Sequence, residues 1–229
     1  FNVTGFPIGA LFNPIPVSAE FDADGNVINQ MCQGGTNFGK GDGTVVPCET
    51  APALYLGQPI PTWLSSLSAD ITWKRFRLVG VAEFQGGHWM NDGNLAASHT
   101  FFLNSKAAVE RSDPILAMYQ VGGALSALTF GPGYMKAGFG KLRNVSLTYD
   151  MPRSMASIFG ASRGSITLTG ANLLTLWRAQ DGTFGTRAVD VETRINTPTF
   201  YADPTLTNAY NQESWPQFTR FLATVRLSF

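Results

Sequence analysis

Charged side chains are scarce in this 229-residue chain. Lysine, arginine, aspartate and glutamate make up 14% of the residues, whereas roughly 25% is usual in soluble globular proteins. The 16 basic and 16 acidic residues cancel, so the chain has no net charge with which to bind nucleic acid through counterion release. We therefore exclude a nucleic-acid partner and expect surroundings that tolerate an uncharged surface.

The sequence also lacks a segment suited to a transmembrane helix. Its longest uncharged stretch, residues 114–135, is long enough to cross a bilayer. It contains Pro114, Pro132 and several glycines, however, and a lipid-facing helix has few such breakers. A secretion signal is missing too, because the chain opens Phe-Asn-Val without an initiator methionine, and we expect the native N-terminus to lie elsewhere.

Residues for catalysis or metal binding are few. The 2 histidines, His88 and His99, have Asp92 nearby, but no Gly-x-Ser-x-Gly turn is present to hold a nucleophile. Residues 22–26 partly resemble a calcium loop, yet the glycine and glutamate that an EF-hand requires are replaced. We expect a loop turn at 22–26, no enzymatic activity, no cofactor and no metal site.

Cysteine is equally rare, with Cys32 and Cys48 flanking a glycine-rich segment. A disulfide that closes a loop of this length contributes about 3 kcal/mol in the chain-entropy model. Because such bridges persist in oxidising compartments, we predict a Cys32–Cys48 disulfide in a protein exported from the cytoplasm. The alternative is a pair of free thiols in a reducing compartment.

The strongest pattern that is present is period-two alternation, which is typical of β-strands with one apolar face. It is clearest in residues 221–229. It recurs in two segments that flank a tight turn at 74–75, which predicts a hairpin. The alternating segments are 67–73, 76–85, 144–149, 165–177 and 221–229, with a weaker one within 6–20. About six antiparallel strands result, and the best are long enough to cross a bilayer at a tilt.

The connections between these strands are unequal in length. Short ones at 74–75 and 151–163 alternate with long ones at 21–62, 90–137 and 178–216. Outer-membrane barrels have short periplasmic turns and long extracellular loops, so we expect the long set outside. One loop is predicted to hold a helix at 105–111, capped by Ser105 and stopped by Pro114.

Aromatic residues near the strand ends predict a girdle at each membrane surface. The first girdle is predicted to contain Trp73, Phe76, Tyr149 and Phe229, and the second Trp89, Trp177, Trp215 and Phe218. Other aromatic residues lie in the long connections, where amphipathic rings could stack on sugars or equally pack within the loops. These candidate ligand contacts are Tyr55, Trp89, Phe101, Phe102, Tyr201 and Tyr210.

Four segments resemble the SusC/RagA-like group of TonB-dependent outer-membrane transporters. They are Gly5-Phe6-Pro7-Ile8-Gly9 and residues 56–63, 142–152 and 170–177. The resemblance implies an all-β fold in which residues 1–229 are the C-terminal segment of a transmembrane barrel of roughly 22 strands. The plug domain and the N-terminal strands would lie outside these residues.

The same resemblance implies import of glycans or peptides across the bacterial outer membrane. The implied partners are the remainder of the barrel and its plug, a TonB-type energy coupler, a SusD-like surface lipoprotein and outer-membrane lipid. The last segment matches the barrel-assembly signal of this group through Phe221, Val225, Leu227 and Phe229.

Two other hypotheses remain open. A separated barrel piece could assemble through its exposed strand edges into an oligomer or a filament. An extracellular enzyme of sandwich fold is the third reading, and it would require soluble behaviour without detergent.

Overall fold

The computed structural model describes residues 2–127, 131–179, 191–192, 210–211 and 217–229. The chain divides into two compact units. The sheet unit comprises Thr62–Gly86, Gly138–Ala179 and Gln217–Phe229. The loop unit comprises Phe1–Pro61, Gly87–Ala137 and Gln180–Pro216.

Strands dominate both units, and the helices are short. The strands are β1 (Leu11–Asn13), β2 (Pro16–Phe21), β3 (Val27–Gly35), β4 (Gly41–Pro47), β5 (Leu54–Gly57), β6 (Trp63–Trp73), β7 (Phe76–Gly86), β8 (Trp89–Asp92), β9 (Tyr134–Lys136), β10 (Phe139–Asp150), β11 (Arg163–Arg178), β12 (Tyr210–Asn211) and β13 (Arg220–Ser228). The α-helices are α1 (Gly93–Thr100), α2 (Lys106–Glu110), α3 (Pro114–Ala117) and α4 (Arg153–Ala156). Turns of 3-10 helix occupy Cys48–Thr50, Gly131–Gly133 and Ser157–Phe159.

The sheet unit forms an antiparallel sheet of five strands in the order β13-β11-β10-β7-β6. Its strands are long, with 11 residues in β6 and in β7, 12 in β10 and 16 in β11. The β6–β7 hairpin closes through Lys74, which has φ 55°. The short connections lie at one end of the sheet, where the Asp150 amide donates to the Arg75 carbonyl at 2.8 Å. The long connections leave from the other end, so the short connections predicted at 74–75 and 151–163 and the long ones predicted at 90–137 and 178–216 are confirmed. The stretch 21–62 does not join two strands of this sheet, because the segment at 6–20 lies in the loop unit, and the sheet has five strands rather than about six.

The loop unit contains small sheets with the orders β1-β5, β2-β3-β4 and β12-β8-β9. The weak alternating segment at 6–20 belongs here and divides into β1 and β2, because prolines at 14 and 16 interrupt the ladder between them. The predicted disulfide is present and joins Cys32 of β3 to Cys48 just after β4. It is buried in a core with Met118, Tyr119 and Leu125.

The helix predicted at 105–111 is confirmed as α2. The Ser105 hydroxyl accepts a hydrogen bond from the Ala108 amide at 3.2 Å, and the helix ends at Arg111 in the left-handed region. Pro114 does not merely stop a helix, since it occupies the first turn of α3. Within the part of the chain that the structure describes, no helix has the length and apolar character needed to cross a membrane.

Candidate membrane surface and ligand-contacting loops

One face of the five-stranded sheet is apolar from edge to edge. The alternation of each strand and the register between strands place the same kind of side chain on this face throughout. This apolar face consists of Leu67, Ala69, Ile71 and Trp73 of β6, Phe76, Leu78, Gly80, Ala82 and Phe84 of β7, Val145, Leu147 and Tyr149 of β10, Ile166 and Leu168 of β11, and Phe221, Ala223, Val225 and Leu227 of β13.

The large side chains of the apolar face are exposed. Leu67 is 67% exposed, Leu168 is 55% exposed and Phe221 is 80% exposed, although a water-soluble protein would bury such residues. Monomeric soluble proteins rarely expose a continuous apolar patch beyond a few hundred Å². The apolar face is therefore a surface that requires a non-aqueous neighbour.

The opposite face is mostly polar, with Val79, Val81 and Leu222 as apolar members, and several of its polar side chains bond to one another across strands. Arg77 of β7 forms a bidentate ion pair with Asp70 of β6, with nitrogen–oxygen distances of 2.9 and 2.5 Å. A hydroxyl pair follows between β10 and β11, where Thr148 and Thr167 lie 2.9 Å apart. We call this the polar face, and Asp70, Arg77, Glu83 and Arg226 lie on it.

A bulge in β10 preserves this two-faced arrangement. The pairing of β10 with both of its neighbours shifts between Leu142 and Asn144. Against β7, Arg143 is the extra residue, whereas against β11 the extra residue lies on β11, between Ala171 and Leu174. Arg143 is then placed to form an ion pair with Glu83 at 2.7 Å. The bulge restores the alternation, with Val145 on the apolar face and Asn144 on the polar face.

Aromatic residues gather at the short-turn end of the sheet, as predicted. Trp73 pairs with Phe76, and the Phe76 and Tyr149 rings lie 4.9 Å apart. Phe229 follows Ser228, which pairs with Arg163 at the same end.

At the other end the aromatic residues differ from the prediction. Trp177 lies there, and the Phe218 carbonyl accepts from Asn172 at 3.4 Å, but Trp89 lies in β8 of the loop unit. The chain leaves the sheet before Trp89 because Gly87, at φ 76°, turns it away after β7. Trp63 stacks on Trp177 with ring centroids 6.0 Å apart, and Trp215 lies outside the described residues. If the alternating segment 67–73 is extended toward the N-terminus by four residues, Trp63 falls on the same face as Leu67 and would have been predicted at this end of the sheet.

The predicted assembly residues share one edge strand. Phe221, Val225 and Leu227 of β13 lie on the apolar face opposite Gly170, Ile166 and Gly164 of β11. Phe229 continues the same alternation and is 86% exposed. Their common placement agrees with the sequence pattern, while their role in assembly stays a prediction.

Two of the candidate ligand aromatics pack inside the loop unit. Tyr55 is half-buried and lies 5.0 Å from Phe6 and 5.8 Å from Phe12, measured between ring centroids. Burial raises the pKa of its phenol. The Trp89 ring lies against the backbone of Gly57, where a Cβ atom would collide with it. Both positions favour a packing role for these two rings.

Phe101 and Phe102 differ, because they stand out from the end of α1 with exposures of 61% and 72%. Their exposure distinguishes them from Tyr55 and Trp89, and a role in ligand contact stays a prediction. Tyr210 lies in β12, next to β8, and its side chain is not described. Tyr201 lies outside the described residues.

The polar residues considered for catalysis have structural partners. Asp92 caps α1 by accepting from the Asn94 and Leu95 amides at 3.1 Å each, and burial raises the pKa of its carboxyl despite these bonds. His99 is buried within α1 rather than in a loop, with its Nδ1 2.6 Å from the Ser105 hydroxyl. Burial lowers the pKa of His99. The packing of a second helix against α1 was not visible in the sequence.

The segment at 22–26 is the turn between β2 and β3. Asp22 accepts hydrogen bonds from the Asp24 and Asn26 amides at 2.9 and 2.8 Å and from the Asn26 side chain at 3.0 Å. These bonds lower the pKa of Asp22, the Asn26 side chain contributing most. The carboxylate thus stabilises the turn, as the loop interpretation predicted. Among the described residues, no group of three or more acidic, histidine or cysteine side chains could hold a metal ion.

An antiparallel sheet with one exposed apolar face and one largely polar face has the pattern of a β-barrel wall. Among solved structures, the chain is similar to that of the RagAB peptide transporter, with a TM-score of 0.62, 17% identity, and coverage of 96% of this chain and 22% of that chain. The RagAB peptide importer in its closed-closed state gives a TM-score of 0.56 at 17% identity, and in its open-open state 0.58 at 15% identity. Both cover the same 96% of this chain and 22% of theirs.

These likenesses show the fold. The chain spans 22% of the length of the transporter chains that it matches. No protein-family model matches the sequence, and no curated protein matches it.

Proposed function

We propose that this chain forms part of the barrel wall of a TonB-dependent transporter, of the SusC/RagA-like group, in the bacterial outer membrane. The observation that carries the proposal is the exposed apolar face that runs unbroken across β6, β7, β10, β11 and β13. Lipid is the neighbour that such a face requires. The likeness in fold to the RagAB peptide transporter supports the same reading.

The edges of the sheet support a larger barrel. In the described part of the chain, β6 and β13 each pair with a single strand. Unpaired backbone amides and carbonyls are costly in lipid, so further strands must cover both edges. We propose that these strands belong to the same polypeptide and close a barrel of roughly 22 strands around a plug domain.

Intact-mass measurement of the native protein tests this part of the proposal. The 229 residues have a mass of 24.8 kDa, and the proposed protein is several times heavier. A native product near 24.8 kDa would contradict the single-polypeptide barrel.

The two ends of the sheet then face opposite compartments. The short turns lie on the periplasmic side with Phe229, and Phe221, Val225, Leu227 and Phe229 form the signal that the assembly machinery reads. The long connections lie outside, where Phe101 and Phe102 are the first candidates to contact an imported ligand. A SusD-like surface lipoprotein and a TonB-type energy coupler complete the proposed system.

Peptides or glycans are the proposed cargo. Cells that lack the gene should lose uptake of the imported class, tested with mixtures of labelled peptides and labelled glycans. Uptake in the parent strain should also stop when the proton gradient is dissipated, because TonB-type coupling draws on it. Uptake that persists after gene deletion for both classes would contradict import by this protein.

The open edges also favour a second candidate function. A sheet with two uncovered edges can recruit copies of itself through backbone hydrogen bonds and form an oligomeric barrel or a filament. Electron microscopy of the purified native protein separates the two, because repeating 24.8 kDa subunits support self-assembly and contradict the single-polypeptide transporter.

A further inference from the structure

The turn between β10 and β11 exposes large apolar side chains. This turn covers residues 151–162 and is called the 151–162 turn below. Ile158 is 78% exposed, Phe159 is 58% exposed and Met155 is 40% exposed. A turn that projected into water would carry polar side chains at most of these positions.

The exposed side chains are held by an ordered backbone. Gly160, at φ 71°, ends the 3-10 turn Ser157–Phe159, and the Ala161 amide donates to the Ala156 carbonyl at 3.1 Å. Ser162 then ties the turn to the last strand, because its amide and its hydroxyl donate to the Ser228 carbonyl at 2.7 and 2.9 Å. Ala156 is fully buried, so the turn has its own small core and directs Ile158 and Phe159 outward.

Four cationic side chains lie in or next to the two turns at this end of the sheet. Lys74 and Arg75 occupy the neighbouring hairpin turn, and Arg153 and Arg163 flank the apolar part of the 151–162 turn. Asp150 is the carboxylate at the start of the turn. The Lys74 ammonium lies 4.8 Å from the centroid of the Trp73 ring, an arrangement typical of a membrane interface. A shallow cavity beside Phe229 is lined by Arg153, Ser154 and Ser157 among others.

We propose that the short-turn end is anchored in a phospholipid leaflet, with Ile158 and Phe159 below the headgroups and the four cations at the level of the phosphates. The inference rests on the proposed barrel, because the leaflet must meet the apolar face. Lipid is favoured over a protein partner for two reasons. The exposed turn follows directly on the strand ends at which Tyr149 and Ile166 close the apolar face, and the excess of cations complements anionic headgroups.

Site-directed spin labelling tests the depth of the turn. Cys32 and Cys48 are joined in the disulfide, so within residues 1–229 only an introduced cysteine reacts with the label, and free cysteines in the rest of the native protein are first replaced by serine. Four single-cysteine variants of the full native protein are each reconstituted in phosphatidylcholine–phosphatidylglycerol vesicles: Ile158→Cys, Phe159→Cys, Leu168→Cys and Val121→Cys. Collisions of the nitroxide with oxygen, which concentrates in lipid, and with a water-soluble nickel chelate then report its surroundings.

We expect oxygen to dominate at 158 and 159 and most strongly at 168, and the nickel chelate to dominate at Val121, which is 97% exposed in the loop unit. If the label at 168 collides mainly with oxygen, two results overturn the anchoring. One is that the labels at 158 and 159 collide mainly with the nickel chelate, and the other is that a protein partner shields them from both probes. Dominant nickel at 168 overturns the proposed barrel itself, so the two failures are distinguishable.

The cations are tested by the lipid that accompanies the protein. Phosphatidylglycerol should be enriched over phosphatidylcholine around the native protein, and each of Arg153→Gln and Lys74→Gln should lower that enrichment about fivefold, as expected for about 1 kcal/mol per cation near an anionic surface. Lys40→Gln, an exposed cation of the loop unit, is the matched control and should change nothing. Equal enrichment in all four proteins would overturn the assignment of these cations to headgroups.

Discussion

Cys32 and Cys48 form a covalent link within the core of the loop unit. Both are buried, and the Cys48 sulfur lies 3.8 Å from that of Met118, which belongs to the segment packed over β2 and β3. Loss of the bridge through Cys32→Ser with Cys48→Ser should destabilise the loop unit by about 2–5 kcal/mol. Hydrogen exchange should show the change as faster exchange in residues 115–125.

The five-stranded sheet is the internal control for this experiment. Its strands contain no cysteine, so exchange in β10 and β11 should stay the same in the double variant. Unchanged protection of residues 115–125 would show that the bridge does not hold this segment in place.

His99 gives the loop unit a pH dependence of known sign. Burial lowers its pKa from 6.5, so the folded state binds its proton at lower pH than the unfolded state. The contribution of His99 to the free energy of unfolding is fully present above pH 6.5, and it declines as the pH falls from 6.5 toward the pKa of His99 in the folded state. Hydrogen exchange of α1, corrected for intrinsic rates, should therefore report easier opening at about pH 5.5 than at about pH 7.5.

The variant His99→Gln isolates this effect. It keeps an acceptor for the Ser105 hydroxyl but cannot titrate in this range. Asp92 acts in the opposite direction, since its raised pKa favours the folded state as the pH falls, and it is unchanged in both proteins. The same pH dependence in wild type and His99→Gln would rule out the histidine as its source.

At the scale of elements, substitutions in β11 test whether the apolar face contacts lipid and the polar face does not. Leu168 and Thr167 are neighbours in sequence but lie on the apolar and polar faces. Leu168→Arg places a charge against lipid and should cost about 2–4 kcal/mol near the bilayer centre, whereas a charge facing the lumen is tolerated far better. Urea unfolding of the native protein in vesicles measures the free energy of unfolding of Leu168→Arg and of a control variant, Thr167→Arg.

Thr167→Arg is the matched control, because it adds the same side chain one residue away. It also removes the hydroxyl bond to Thr148, so a small loss of stability is expected from that bond alone. Equal costs for the two variants would contradict lipid contact on the apolar face.

The long strands could be predicted because each has one exposed apolar face, which the sequence records as alternation. In β13, for example, Phe221, Ala223, Val225 and Leu227 reveal the strand and its face without any tertiary contact. The bulge at Arg143 could not be predicted, because it depends on the reach of that side chain to Glu83 on β7.

The loop unit was far less predictable. β3 is rich in glycine and polar residues, and it is held by its neighbours β2 and β4 rather than by an apolar face. Helix α1 is short and weakly amphipathic, although Asp92 before it is a cap signal that could have found it. Whether an aromatic residue packs inside or stands out, as Tyr55 and Phe102 do, follows from tertiary contacts that no local pattern records.

At the scale of the whole molecule, the account depends on what covers the sheet. In the proposed barrel, lipid covers the apolar face, further strands pair with the edges of β6 and β13, and the polar face borders a hydrated or protein-filled lumen. These requirements are met together in a wide outer-membrane barrel. They fail together if the protein is soluble or if its sheets pair with copies of themselves.

A cryo-electron microscopy map of the native protein, purified from its membrane in lipid nanodiscs, tests the central claim most directly. The account predicts that β6 and β13 each pair with another strand of one closed barrel, with Leu168 and Phe221 facing the lipid. A map in which these side chains are buried in a protein core, or in which 24.8 kDa subunits repeat edge to edge, would contradict it.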